Sequence, residues 1–522
     1  MRMVASCNSL KTARESREIS RNRISFRGLS RVSRARCQSL TGFRLFWLGS
    51  LCLLLVAASD SAAAELRLAS PFGNHAVLQH GQPVPVWGTA EPDRPITVAF
   101  AGQTKTTQAN SEGRWTVVLD PLAVSATPQT LSVRDGSSEV ALADILVGEV
   151  WLVAGRSNIG FAQQRMTDAA AERAKADQPL LRLLRVDTPQ PSATPSETFM
   201  TKGWQLASPQ TVGGFSAIGW VFGSELQRAR NVPVGIIASS WGGSRPSQWT
   251  AQAPDPAHIS GSVTTSVEQV AFERESAQFH RATDGQVSHN QPGDIGQCYN
   301  SHIHPLVPIA ISGVVVFFDG APADELKCLA GSWRQTWARE DLPFLFIQTH
   351  RQGGPRQEDP NSSSDYGRTS LLPLVRSFPQ SALVVALDTG VEGNKDIHPP
   401  NKRPVGERAA LAARSLAYGE TLVSSGPLAL AARREGQRVR VIFEHVGGGL
   451  VAQGGALEGF AVSEDGRRWQ WAEASIEGGE VALTAPLPIK HVRYAYGGDN
   501  PRGNLYNTDN LPASPFALAV TP

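Results

Sequence analysis

Val147-Gly-Glu-Val-Trp-Leu-Val153 is followed at once by Ala154-Gly155-Arg156-Ser157-Asn158. Seven mostly apolar residues, closed by a glycine and a small hydroxyl residue, predict a buried strand that ends in a turn. Similar runs recur downstream at Val234-Gly-Ile-Ile-Ala238, Gly313 to Phe318, Pro343 to Gln348 and Ser381 to Leu387. Stretches of helical period lie among them, Phe215 to Arg230 before Asn231-Val-Pro233, and the Ala- and Arg-rich Glu407 to Gly419. Apolar strands alternating with helices predict a parallel sheet covered on both faces, an α/β region spanning about 144–425. Polar Gln278 to Gly296 and Gly353 to Tyr366 read as surface loops.

Outside that region the pattern changes to short alternating runs broken by turn residues. Upstream these are Val84-Pro-Val-Trp87, Ile96-Thr-Val-Ala-Phe100 and Trp115-Thr-Val-Val-Leu119, with Val140 to Ile145 as the tail. Downstream they are Arg438 to Phe443, Phe460 to Val462, Val481 to Thr484 and Val492 to Tyr496. Period-two runs predict an N-terminal β-sandwich over 65–143 and a C-terminal β domain over 426–522. No internal repeat or low-complexity tract interrupts the series.

The chain has 522 residues, 49 Lys+Arg and 47 Asp+Glu, a formal charge of +2, and 41% hydrophobic content. Composition excludes disorder as the main state and a strongly basic nucleic-acid binder. The charge is uneven. Residues 1–64 hold eleven basic residues against Glu15, Glu18 and Asp60, leaving 38 basic and 44 acidic residues, about −6, in the remainder. Arg44 precedes the apolar run Leu45 to Ala58, and Asp60 precedes Ser61-Ala-Ala-Ala64. That order predicts a secretory signal peptide cleaved after Ala64, hence export to a periplasmic or extracellular compartment. An uncleaved anchor is the alternative, although the run is short for a span of about 20 residues, and no later segment is longer. The long basic stretch ahead of it reads as an address or an over-extended gene start. Cleavage would leave two of five cysteines, Cys298 and Cys328, either paired or as free thiols.

Three short stretches could carry chemistry. Ser157 follows a strand end, where α/β folds place their sites, though a serine capping the next helix is the plainer alternative. Ser239-Ser-Trp-Gly-Gly243 also follows a strand, and its glycines would let backbone N–H groups face an oxyanion or simply make a tight turn. Asp396-Ile-His398 would place a carboxylate and an imidazole on one face of an extended segment. A serine hydroxyl needs such a base, being barely ionised near neutrality. His302-x-His304 lacks a carboxylate at metal spacing, and no metal is expected there. Trp241, Trp249, Trp333 and Trp337 could stack on sugar rings, with core packing the favoured reading.

These stretches carry a resemblance to the sialate O-acetylesterase family of SGNH-type serine hydrolases. The matching residues are Leu78-Gln79, Pro83-Val-Pro-Val-Trp87-Gly88, Gly148-Glu-Val-Trp-Leu with Gly155-x-Ser157-Asn158, and Gly214-Phe-Ser-Ala217. They continue through Val232-Pro-Val-Gly235 with Ser239 to Gly243, Tyr299-Asn300 with Ile303 to Pro308, and Asp396-Ile-His-Pro399 with Asn401-Lys402 and Val405 to Arg408. His445 to Leu450, Asn504 to Asn507 and Leu511 to Phe516 complete the series. The resemblance implies a central three-layer αβα domain flanked by the two β regions. It also implies a cofactor-free esterase that removes acetyl groups from carbohydrate hydroxyls. Ser157 would be nucleophile, His398 general base and acid, Asp396 its orienting carboxylate, and the Gly242 and Ser157 N–H groups the oxyanion hole. Arg156, Asn158 and Trp241 are candidate substrate contacts.

Two departures from the family pattern matter. Gly-Gln-Ser-Asn-Met becomes Gly155-Arg156-Ser157-Asn158-Ile159, and Trp-Tyr-Gln-Gly-Glu-Ser-Asn is replaced by Val316-Phe-Phe-Asp-Gly-Ala-Pro-Ala323, where no one-residue shift restores the asparagine that would donate to the oxyanion. Asp319 there would oppose an oxyanion, and a pairing with Arg156 would offset it. The alternatives are therefore a weakened homologue that binds glycans, or an acetylesterase for other polysaccharides such as xylan. No nucleic-acid partner or stable membrane span after cleavage is expected, and oligomeric state is not legible.

Overall fold

The computed structural model describes residues 65–187, 190–251, 295–354, 356–362, 364–390 and 396–522. The leader and nearly all of the polar 278–296 stretch lie outside the described residues. The long strand β1, Glu139–Gly155, runs through both kinds of sequence pattern. Its first six residues alternate between exposed and half-buried, and from Ile145 onward every residue is buried. The first half pairs antiparallel with Ser125–Arg134, a sheet wetted on one face, and the second lies between parallel neighbours buried on both. Asp144 sits at the change, with φ of 57°. Its carboxylate accepts from Arg182 and bonds His75, both at 2.6 Å, and the Arg182 contact foremost holds the carboxyl below its ordinary range. The boundary expected at residue 143 thus falls inside one continuous strand.

Six further strands complete this part of the sheet. They are β2 (Gln178–Val186), β3 (Gln205–Ala207), β4 (Val234–Ser240), β5 (Gly313–Phe317), β6 (Phe344–Ile347) and β7 (Ser381–Val384), in the order β3-β2-β4-β1-β5-β6-β7. All are parallel except β3, which runs antiparallel to β2. β1 is central, so its carboxyl end opens between those of β4 and β5.

Alternate side chains feed two cores. Val150, Leu152 and Ala154 join Ile237, Val314, Val316 and Phe344 in a cluster that includes Leu329 and Trp333 of helix α3 (Ala323–Thr336) and Leu371 and Leu374 of α4 (Leu371–Ser377). Trp151 and Val153 join Ile236, Val315 and Leu345 on the other side, with Trp220 and Phe222 of α2 (Ala217–Arg230) and Ala409 and Ala413 of α5 (Arg403–Tyr418). Ser216 caps α2 by accepting from the Gly219 N–H at 3.1 Å, and Asn231 in the left-handed region ends it. Helix α5 starts earlier than the expected Glu407, at Arg403, with Pro404 in its first turn. Gly406 lets the two helices meet, since a Cβ there would come 2.5 Å from Val221 Cβ.

The upstream strands include Val84–Thr89, Pro95–Phe100 and Arg114–Leu119, as their alternation predicts. After α5 an eight-stranded sheet follows, containing Arg438–Glu444, Phe460–Ser463, Glu480–Thr484 and His491–Tyr494. Arg368, fully buried, joins this region to the central sheet. It donates to Thr349 and His350 carbonyls beyond β6, and to those of Gly497 and Gly498. Cys298 is buried and Cys328 exposed, and no disulfide joins them. Burial pushes the Cys298 thiol up to about 12. Among the described residues no helix is long and apolar enough to cross a membrane.

Asp388, after β7, accepts both guanidinium ends of Arg408 from α5 at 2.6 and 2.7 Å, and the Tyr506 hydroxyl at 3.1 Å. Burial alone would raise its carboxyl, but the Arg408 contacts outweigh burial and hold it below 3.8. A depressed folded value stabilises above the unfolded one and is lost as pH falls through the folded one. Asp388→Asn is therefore expected to cost about 3 kcal/mol at pH 7. Denaturant titrations should show that difference shrinking below about pH 4.

Candidate active site

The turn after β1 is fixed by close backbone approach. Gly155 has φ of 148°, and a Cβ there would come 2.2 Å from the Phe317 carbonyl oxygen at the end of β5. The Arg156 N–H donates to that same carbonyl at 3.1 Å. The one-turn helix α1, Ser157–Gly160, begins immediately. Its cap position is Arg156, with no side-chain cap, and Ser157 is not its capping residue. Instead Ser157 Oγ lies 2.7 Å from His398 Nε2. This distance decides against the plainer capping alternative.

His398 reaches Ser157 from 241 residues away, in the segment that leads into α5. Asp396 Oδ1 lies 2.9 Å from His398 Nδ1 and also accepts the His398 backbone N–H at 2.9 Å. The carboxylate meets the ring through a bend closed on one oxygen, rather than through strand alternation as the spacing suggested. The Asp396 side chain is 46% exposed and that of His398 23%, so the pair sits at a surface opening toward solvent.

Trp241-Gly-Gly243 follows β4 and lies against the same turn. The Trp241 N–H donates to the Gly155 carbonyl at 3.0 Å, and an added Cβ on Gly242 would lie 3.7 Å from Ser157 Cβ. The glycine backbone thus borders the serine, and the two expected oxyanion residues, Gly242 and Ser157, are neighbours. Gly243, with φ of 72°, completes the turn.

The other expected contacts divide. Arg156 donates through Nε to the Ser244 carbonyl and through NH1 to the Asp319 carbonyl at 2.5 Å. Burial lowers its guanidinium most, with Asp319 and Glu325 opposing. The expected Arg156–Asp319 contact is therefore made to the main chain, because the Asp319 carboxylate points elsewhere. Asn158 is 0% exposed, so it is not a direct substrate contact, contrary to expectation. Its amide group donates to Asp319 Oδ2 at 2.8 Å and to the Ile397 carbonyl at 3.1 Å, and its oxygen accepts from Lys402 Nζ. Trp241 is half-buried with its ring edge-on to His302. Trp249, Trp333 and Trp337 are buried and donate to Ser244 Oγ, the Trp249 carbonyl and the Ile309 carbonyl, as core residues do.

His302 and His304 go to separate partners, Ser301 Oγ at 2.7 Å and the Ser196 carbonyl at 3.0 Å. Burial drives His302 down to about 4, so its ring is neutral. Asp319 Oδ1 is buried, 3.8 Å from His350 Nδ1, and Ala323 opens α3. Lys402 is the principal residue that sequence reasoning passed over. It was visible only as part of the Asn401-Lys402 match, and nothing local marks a lysine as 1% exposed.

No family model matches the chain. Sialate O-acetylesterases from Homo sapiens and Pongo abelii are each 27% identical to it over 428 residues, which is 73% of this chain and 77% of theirs. The crystal structure of a carbohydrate acetylesterase from Xanthomonas citri is similar with a TM-score of 0.74 and 30% identity. That similarity covers 86% of this chain and 99% of the other.

The turn geometry makes two glycines unequal. Gly155→Ala should cost about 1–3 kcal/mol in urea titrations, through its φ and the approach to Phe317. Gly242→Ala, whose Cβ meets Ser157 at an ordinary distance, should stay within about 0.5 kcal/mol of wild type.

Proposed function

The chain belongs to the sialate O-acetylesterase family, and from that membership we propose that it is an exported serine esterase hydrolysing O-acetyl esters on carbohydrates. The observation that carries the chemistry is the 2.7 Å contact between Ser157 Oγ and His398 Nε2, with Asp396 on the opposite ring nitrogen. The tautomer with its proton on Nδ1 donates to Asp396 and leaves Nε2 free to accept the serine proton. Ser157 Oγ then bonds to the ester carbonyl carbon as the proton passes to His398. The tetrahedral oxyanion forms against the Gly242 and Ser157 N–H groups. Collapse expels the sugar alkoxide, which takes the proton back from His398 and leaves acetyl-Ser157. Water, deprotonated by His398, releases acetate and restores the serine. No redox change occurs and no cofactor is needed.

The parallel sheet, its two helix-covered cores and the site at the carboxyl end of β1 support an SGNH-like three-layer reading of the central region. The body's charge of about −6 opposes bulk attraction of acidic sugars, and Arg156 spends two donors on protein carbonyls. Neutral acetylated sugars, including xylan, therefore stand beside sialic acids as substrates. One observation favours a second reading, a weakened homologue that binds glycans: the segment Val316 to Ala323 lacks the expected asparagine.

The purified chain is to be assayed on an aryl acetate, acetylated sialic acid and acetylated xylan. Ser157→Ala and His398→Ala should each lower kcat by about 10⁴-fold or more. Asp396→Ala should lose less, about 10²- to 10⁴-fold, because its half-exposed carboxylate orients a base that remains present. Turnover surviving in Ser157→Ala would sink the nucleophile assignment. Measurable glycan binding with no turnover of any acetate would favour the weakened homologue.

A further inference from the structure

Behind Ser157 and His398 lies a buried polar cluster that the reaction as written does not use. Asn158 follows the nucleophile, and Ile397 precedes the base. The peptide joining Ile397 to His398 is gripped at both ends: its carbonyl accepts from Asn158 Nδ2 at 3.1 Å, and its N–H donates to Asp396 Oδ1 at 2.9 Å. The second proton of the Asn158 amide goes to Asp319 Oδ2 at 2.8 Å. The remaining amide atom, Oδ1, accepts from Lys402 Nζ. Among these partners only one orientation of the carboxamide works. A carbonyl and a carboxylate require the nitrogen, and a protonated Lys402 requires the oxygen.

We propose that Asn158 and Lys402 are positioning residues, a buried clamp that sets where His398 stands relative to Ser157. The proposal rests on the catalytic reading of Ser157 and His398. Asn158, one residue from the nucleophile, holds the peptide one residue from the base. Lys402 fixes which way Asn158 faces and stands at the entry to α5, four residues after His398. Neither side chain reaches solvent, so neither contacts substrate.

The energetics suit a functional role better than a stabilising one. Lys402 is 1% exposed, and burial drives its ammonium down to about 7 despite the pull of Asp319 and Asp396. Arg165 also disfavours the charge, and the Phe161 ring lies 5.1 Å from Nζ. A buried cation is costly, and an apolar residue of similar shape often serves stability as well. Displacing a base by about 1 Å, in contrast, can cost about 100-fold in rate.

The test uses the full chain with Asn158→Ala, Asn158→Asp, Lys402→Met and the Lys402→Met/Asn158→Ala double variant. Readouts are kcat and KM on an aryl acetate and the rate of Ser157 labelling by a fluorophosphonate. Folding is followed by circular dichroism. Asn158→Ala should lower kcat and the labelling rate by about 10- to 100-fold, with KM within about threefold. Asn158→Asp should be slower than Asn158→Ala, because its second oxygen would face the Ile397 carbonyl and Asp319. The double variant should fall no further than Asn158→Ala, since both changes break one clamp. Folded Asn158→Ala and Lys402→Met with kcat within twofold of wild type would overturn the proposal, as would a change confined to KM. If neither folds, the contacts serve stability and the proposal also fails. Wild type that does not label at Ser157 would instead refute the catalytic reading beneath it.

Discussion

Gly155 closes on the Phe317 carbonyl so tightly that no side chain fits between them. That approach is possible because β1 lies between β4 and β5, with Gly155 in register with Ser240 on one side and Phe317 on the other. Three chain segments therefore end at one point of the sheet. The first delivers Ser157, the second Trp241 and Gly242, and the third Asp319. The site needs no separate scaffold, because parallel strands of matched register bring their carboxyl ends together. The His398 segment arrives from elsewhere, held by side chains and by the Thr167 N–H on the Pro400 carbonyl rather than by the sheet.

Five of the six parallel strands and two of the three longest helices were legible because their signals are local, whereas β2 and α3 were not read. Five apolar runs appear as five parallel strands, and the helical period from Phe215 appears as α2. The change at Asp144 was legible as a change of pattern, yet it looked like a boundary between domains. Alternation and continuous burial are both ways for a strand to meet its surroundings, so one strand can show each in turn. The left-handed φ at Asp144, with His75 and Arg182 on its carboxylate, has no local signature.

Ser157, Asp396 and His398 could be nominated because short motifs carry reactive groups in a recognisable order. Their 2.7 and 2.9 Å contacts depend on the fold and could not be read. Asn158 was misplaced for a related reason: a polar residue beside a nucleophile looks like a ligand contact. Its complete burial, and that of Lys402, follow from packing 244 residues apart in the chain. Burial of charge is the feature that sequence hides best, since composition favours exposure for lysine everywhere.

Asp319 raised two separate concerns, an added charge and a lost donor, and the structure treats them differently. Asn158 covers one oxygen of that carboxylate, and Lys402, whose ammonium burial drives down to about 7, lies behind Asn158. While Lys402 is protonated, such a pair presents a dipole to Ser157 rather than a bare anion, and a dipole's field falls off faster with distance. Asp319 therefore need not oppose an oxyanion at Gly242 in proportion to its formal charge. Arg156 gives its Nε and NH1 donors to the Ser244 and Asp319 carbonyls. One missing donor costs about 100- to 1000-fold. A complete triad supplies about 10⁶-fold in kcat. A triad short of one such donor would therefore retain about 10³- to 10⁴-fold. The contacts among Ser157, His398 and Asp396 support the proposed esterase reading over the binding-protein one.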